Sequence, residues 1–228
     1  MPLSKGDYIL LDYTIVIKDD NKVVETTQEE VAKEAGIYRP EEAYRPRLVI
    51  LGETPLWEAV ENMLITLEEG QAFEIEVPPE KAYGVRDPNK IKTVSIREFH
   101  RHGFVPRVDD VVEYEGQRAR VVSISGGRVV LDFNHPLAGK TFVVRGRVVK
   151  RLTSPEERAA ALLRPHLSRV AEDKIKVTLE EGVLTVALPA EVLLYERIGG
   201  ALLQYASEIS TKLDVKKVRF ITEVELKT

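Results

Sequence analysis

Ile9, Leu11, Tyr13, Ile15 and Ile17 fall on one face of an alternating run, and a period of two marks a half-buried strand. Such a run needs sheet partners and a core to cover its apolar face. Asp19-Asp20-Asn21 is a turn signal, and "KVVETT" (Lys22 to Thr27) returns beside it as a partner strand. Much further along, "TFVVRGRVVKRL" (Thr141 to Leu152) is a strand long enough to rejoin that first sheet. The stretch from about Pro88 to Leu131 is therefore an insertion rather than a downstream domain.

The intervening pieces support this frame. Gln28 to Pro46 is polar and reads as a surface flap with one short helix, Glu29 to Ala35. "RLVILG" (Arg47 to Gly52) is a short buried strand. Thr54-Pro55 opens a helix whose apolar face is Leu56, Val60, Met63 and Leu64. "GQAFEIEVPPEKAYG" (Gly70 to Gly84) is a strand running into a turn-rich loop. The insertion alternates short β-rich pieces with Gly-Gln and Gly-Gly turns, the pattern of a small sheet or barrel. After Thr153-Ser154-Pro155 come a helix (Glu156 to Ala171), a hairpin (Lys174 to Pro189), a long amphipathic helix (Ala190 to Leu213) and a last strand (Val215 to Leu226). That region reads as a compact α+β domain of its own, and the whole chain is α+β.

Several function classes fall away. With no cysteine among 228 residues there are no disulfides, thiolate metal sites or cysteine nucleophiles. A net charge of -4 and a pI near 5.7 call for no nucleic-acid partner. No apolar run approaches the roughly 18 residues of a membrane span, and the amino-terminal stretch reads as a strand rather than a secretory signal. A cytoplasmic location is the expectation, and the abundance of Arg, Lys and Glu would suit a thermophile. No nucleophile elbow, P-loop, H-E-x-x-H or dinucleotide fingerprint occurs. His100 and His102, taken as sharing a strand, lack a further ligand and read as surface histidines, as does His166 on the first helix after the boundary.

What remains is an ordered set of apolar and aromatic segments: "LLDYTIVI", "KVVETT", "LGETPLWEAVENML", "EKAYG" and "NHPLAGKTFVV". In order and spacing they resemble the FKBP-type prolyl isomerases of the SlyD kind, most of all through "AYG" (Ala82 to Gly84) and "FNHPLAGK" (Phe133 to Lys140). The resemblance covers about Met1 to Leu152, and long FKBP-type proteins of archaea look similar in carrying an extra carboxy-terminal domain. It implies an FKBP-like antiparallel sheet wrapped on one helix (residues 1–87 and 135–153), a small all-β insert-in-flap chaperone domain (88–134) and a carboxy-terminal α+β domain (154–228).

The resemblance also implies site residues. Tyr13, Glu25 and Tyr83 would be catalytic, with Tyr83 offering its hydroxyl to the carbonyl before the proline. Val24, Leu56, Trp57, Val60, Phe142 and Val144 would bind substrate, with the N–H of Trp57 placed to hold a carbonyl. Core packing alone would equally place Tyr13, a structural anchor would account for Trp57, and Glu25 reads most simply as a solvated carboxylate. Tyr83, between an alanine and a glycine, is the hardest to explain as core. The chain departs from the family at Glu25, where Asp is usual, at Val60 and Val144, which are small, and at Arg47, where many members place an aromatic.

No metal or cofactor is implied. The expected partners are unfolded or proline-containing polypeptides, with no nucleic acid and no membrane. Ile96, Phe99, Phe104 and Val105 of the insert would meet clients, or else simply form its core. Tyr195, Ile198, Leu202, Tyr205, Ile209 and Leu213 make a core or interface stripe, and the last domain is expected to mediate self-association as a homodimer, or client handling. Two functions stand side by side: an isomerase that also binds unfolded chains, and a holdase whose isomerase pocket has decayed.

Overall fold

The computed structural model describes residues 2–168 and 170–224. In chain order the elements are β1 (Tyr8–Ile17), β2 (Lys22–Thr26), α1 (Glu29–Glu34), β3 (Arg47–Ile50), α2 (Glu58–Leu64) and β4 (Ala72–Val77). Then follow β5 (Ile91–Ser95), α3 (Ile96–Arg101), β6 (Val111–Tyr114), β7 (Gln117–Ser125) and β8 (Arg128–Asp132). The chain closes with β9 (Phe142–Leu152), α4 (Pro155–Leu163), β10 (Lys176–Glu180), β11 (Val183–Leu188), α5 (Ile198–Lys212) and β12 (Lys217–Thr222). Contacts divide them into two units. One holds Lys22–Ile75 with the segments before Ile17 and from Val144 on; the other holds Ile17–Asn21 and Glu76–Val143.

In the first unit the sheet runs in the order β2-β1-β9-β4, with β3 also paired to β1. The β3 register is antiparallel, Tyr8 opposite Ile50 and Leu11 opposite Arg47. The expected return of the 141–152 strand to the first sheet is what β9 does. Gly146 makes the close approach on β9 feasible: a Cβ there would lie 2.5 Å from the Asp12 carbonyl oxygen and 2.8 Å from the Phe73 ring. Gly146→Ala is therefore expected to cost about 2 kcal/mol through overpacking, a fall in Tm of about 4–8 °C for a chain of this size. Thermal denaturation checks this, and an unchanged Tm would show that the sheet opens freely there.

β1 is not half-buried. Tyr8, Leu10 and Ile50 share a core with Leu152, Ala159, Leu162, Leu188, Tyr205 and Ile209, while Ile9 and Leu11 are buried on the opposite face. The residues after Leu152 thus supply a second cover for the first sheet. They form a three-stranded sheet, β10-β11-β12, in which β10 and β11 are antiparallel and β11 and β12 parallel. A parallel pair needs a crossover, and α5 provides it. The stripe on α5 is core: Tyr205 is fully buried and its hydroxyl donates to the Ala159 carbonyl at 3.0 Å.

Helix boundaries differ from the pattern reading for local reasons. The Thr54 hydroxyl accepts from the Ile50 N–H at 2.8 Å, so it closes β3 instead of capping a helix, and α2 starts at Glu58 with Trp57 as its N-cap. α4 is capped by Ser154 and Glu157 in a reciprocal box and stops at Leu163, because Pro165 has no N–H to continue it. α5 begins at Ile198, not Ala190: Arg197 is left-handed at φ 60° and separates it from a short 3₁₀ turn at Ala190–Leu194, leaving Tyr195 outside the helix. β12 spans Lys217–Thr222, and the expected end at Leu226 lies outside the described residues, as does Arg169 in the expected Glu156–Ala171 helix. His166 follows α4 and is mostly buried, 3.1 Å from Glu208.

In the second unit the sheet order is β5-β8-β7-β6, all antiparallel. Val94, Phe99, Val112, Val121, Val129 and Leu131 form its core. This block is not all-β. Ser95 accepts from the Arg97 N–H and starts α3, which buries Phe99, carries His100 and ends at His102. His100 is therefore helical and His102 caps the helix end, and neither is on a strand. Among the described residues no helix is long and apolar enough to cross a membrane, and no group of three His, Asp or Glu could hold a metal ion.

Candidate active site

The site residues inferred from sequence divide between the two units. In the first, Tyr13 lies on the face of β1 that carries Ile9 and Leu11 and is 8% exposed. Its backbone is held by the chain just after β2: the Thr27 N–H donates to the Tyr13 carbonyl at 3.0 Å, and the Tyr13 N–H donates to the Thr27 hydroxyl at 3.0 Å. That hydroxyl donates onward to the Asp12 carboxylate at 2.7 Å. Because Leu11 faces Arg47 across the ladder, Arg47 is the diagonal neighbour of Tyr13 on the same face.

The side chains meet as this register dictates. The Tyr13 hydroxyl donates to Glu25 Oε1 at 2.5 Å and accepts from Arg47 Nη1 at 2.5 Å, and Arg47 Nη1 also reaches Glu25 at 2.8 Å. Burial, then the bond to Glu25 and its charge, push the Tyr13 pKa above the usual tyrosine value. Burial works against the Arg47 charge, but Tyr13 and Glu25 outweigh it and raise the pKa. A phenol has one proton to give, and Glu25 takes it. Tyr13 and Glu25 thus hold a guanidinium in place.

Among the other expected residues of this unit, Val24 is half-buried on β2, Leu56 and Trp57 are half-buried just before α2, Val60 is buried on α2, and Val144 is buried on β9. In the second unit Tyr83 is 41% exposed. Its ring stacks on His135 with centroids 4.4 Å apart and meets the fully buried Phe142 edge-on at 5.5 Å. Its neighbour Gly84, at φ +81°, donates to the Pro79 carbonyl at 2.7 Å and accepts from the Gly139 N–H at 2.8 Å. A left-handed residue at this spot favours glycine, and the two bonds fix the loop that presents Tyr83.

Pattern reading missed two participants. Arg47 was visible only as a departure from an aromatic, yet the β1–β3 register implied by alternation puts it beside Tyr13. His135 serves the junction turn, its Nδ1 accepting from the Leu137 N–H at 3.2 Å and its carbonyl from the Ala138 N–H at 2.9 Å, but no periodicity connects it with Tyr83. Asn134 serves the same junction: it accepts from the Asp87 N–H at 2.9 Å and donates to the Asp87 carbonyl at 3.0 Å.

Comparison with known proteins gives the family. The chain is 38% identical over 150 residues to the short-type peptidyl-prolyl cis-trans isomerase of Methanocaldococcus jannaschii, a match covering 65% of this chain and 94% of that protein. The chain belongs to the FKBP-type peptidyl-prolyl cis-trans isomerases. The resemblance drawn from "AYG" and "FNHPLAGK" is thereby borne out, and the protein is an enzyme of that class. The isomerase is also 32% identical over 102 residues to the FKBP-type 16 kDa enzyme of Escherichia coli K12, covering 42% of this chain and 68% of that one. It is 31% identical over 165 residues to the SlyD isomerase of Aeromonas hydrophila, covering 68% of each. Two family models match outside the five-stranded sheet: "FKBP26, IF domain" over residues 92–137 and "FKBP26_C-terminal" over 155–225.

Proposed function

We propose that this isomerase rotates X-Pro bonds in unfolded polypeptides and holds those chains on its insert. The observation that carries the reading is the match over nearly the whole of a short-type isomerase. Rotation about a prolyl amide faces a barrier of about 18–20 kcal/mol set by resonance. No nucleophile or metal is needed to lower it. An apolar surface that strips water from the amide favours the twisted, less polar state, and a donor on the flanking carbonyl supplies geometry. An acceleration of about a hundred-thousandfold needs only about 7 kcal/mol of such differential binding.

In this reading Tyr83 donates to the carbonyl before the proline, Leu56, Trp57, Val60, Phe142 and Val144 provide apolar surface, and Tyr13 and Glu25 act through Arg47 beside Val24. The domains are residues 1–87 with 135–153, 88–134, and 154–228. The isomerase combining Tyr83→Phe with Val60→Asp is expected to lose at least about a hundredfold in catalysed refolding of a proline-limited protein, as the loss of a polar stabiliser does elsewhere. Undiminished catalysis at equal folded concentration would refute the assignment.

Support for client holding lies in the second unit. A cavity of about 560 Å³ is lined by Phe99, Phe104, Val111, Val112 and Tyr114 with a charged rim. Val111 begins β6, an edge strand of its sheet, and Val105, Val108 and Val111 are all exposed. Apolar residues beside an unpaired edge suit an extended chain added as a further strand. The second reading, a holdase with a decayed pocket, draws on Glu25 in place of Asp and on the small Val60 and Val144; the refolding measurement on the unaltered protein separates the two. Self-association through residues 154–228 belongs to the same proposal.

A further inference from the structure

Apart from Arg47, the arginines around the flap have no part in prolyl rotation as such. Within the first unit a cleft of about 730 Å³ is lined by Arg39, Arg45, Arg47 and Arg164 against two glutamates, Glu25 and Glu42. Arg45 and Arg164 are the informative pair. Their side chains are only 24% and 21% exposed, and both reach one carboxylate, Glu172, at 3.3 and 2.7 Å. Arg45 also donates to the backbone carbonyl of Arg164 at 3.2 Å. One carboxylate therefore answers two half-sequestered guanidiniums, and burial together with the Arg45 charge holds the Arg164 pKa below the usual arginine range despite Glu172. Arg47 uses a single nitrogen, Nη1, on Tyr13 and Glu25, and a guanidinium carries five N–H donors.

Like charges gathered at the wall of a cleft are relieved by an anion entering it. Guanidinium forks match carboxylates in shape and charge, and the apolar Ile37, Pro46 and Leu48 also line the cleft, giving a peptide backbone somewhere to lie. We infer that the cleft takes an Asp or Glu side chain of the client, so that the enzyme favours prolines with an acidic residue close by in sequence. This rests on the assignment of Tyr13, Glu25 and Arg47 to the catalytic site, since the cleft shares those residues.

The test uses the full-length protein and peptides that differ only in carrying Glu, Gln or Lys two residues before or after the proline. The Glu peptide is expected to exceed the Gln peptide in kcat/KM by about fivefold at one of the positions, the scale of an exposed ion pair, with the advantage fading at high salt. Arg45→Gln or Arg164→Gln should bring the Glu-to-Gln ratio to near unity. Arg39→Glu, on a side chain 68% exposed and so safe for folding, should move preference from Glu toward Lys. Equal turnover of Glu and Gln peptides at every position, or a Glu preference that survives all three substitutions, overturns the inference. The same peptides keep its failure apart from that of the site: Tyr83→Phe with Val60→Asp abolishing turnover while the Glu preference is absent defeats the cleft alone. Undiminished turnover in that double variant defeats the site assignment and the cleft with it.

Discussion

A chain ending at Thr153 is expected to lose on the order of 5 kcal/mol of stability, because the face of Tyr8, Leu10 and Ile50 is then laid bare to water. Each of those residues is under a tenth exposed in a core completed by Ala159, Leu162, Leu188, Tyr205 and Ile209, and each fully buried side chain of this kind contributes roughly 1.5–3 kcal/mol. Domains of this size hold only about 5–15 kcal/mol in total, so the truncated protein should unfold or aggregate near ambient temperature. Denaturant titration and light scattering check this. A truncated chain with the Tm of the full protein would show instead that residues 154–228 are a detachable domain, as their pattern alone suggested. If that chain were also monomeric where the full protein is dimeric, self-association would be their role.

Excision of the insert should have the opposite character, a large functional loss at small structural cost. Asp87 and Asn134 bond to each other through two hydrogen bonds, at 2.9 and 3.0 Å, so a short glycine-serine link can join the chain there with little distortion. Without the β5-β8-β7-β6 sheet, isomerisation of a tetrapeptide should stay within a few fold. Catalysed refolding of a protein client should fall about a hundredfold, because a tethered client gains that order of effective concentration from a second contact. Intact suppression of aggregation by the shortened protein would mean that Phe104, Val105 and Val111 are not the client surface.

Much of the fold was legible in the sequence where one period dominates. The alternation at Ile9, Leu11 and Tyr13 located β1, and the length of the 141–152 strand placed its return and so the insertion. The second buried face of β1 was not seen. Its residues run Tyr8, Leu10, Asp12, Thr14 and Val16, an apolar face broken by two polar residues, and the cover over Tyr8 and Leu10 comes from residues more than a hundred positions away, a distance no local pattern reports. The helix starts at Glu58 and Ile198 were misplaced for a related reason. Thr54 and Arg197 act through bonds and dihedrals that composition does not encode.

The site was legible as a set of residue types, less so as a set of contacts. Glu25 reads as a solvated carboxylate, and it is exposed; only the Tyr13 hydroxyl and Arg47 above it change what it does. Arg47 stands where an aromatic wall is common, and in isolation it looked like a loss. Held by Tyr13 and Glu25, it becomes a fixed donor instead. Tyr83 stood out because neither alanine nor glycine beside it offers a core, and its exposed ring, backed by His135 and Phe142, agrees with that reading.

The central claim is that this chain accelerates prolyl rotation on a bound peptide. Two-dimensional exchange spectroscopy measures that directly, from cross-peaks between the cis and trans resonances of an X-Pro peptide at equilibrium with a small amount of the protein. Uncatalysed exchange takes tens to hundreds of seconds, too slow for such cross-peaks. The account predicts that they appear with the unaltered protein and vanish when Tyr83→Phe and Val60→Asp are combined. A peptide that shifts on binding yet exchanges no faster than it does alone would contradict it, and would identify the protein as a holdase.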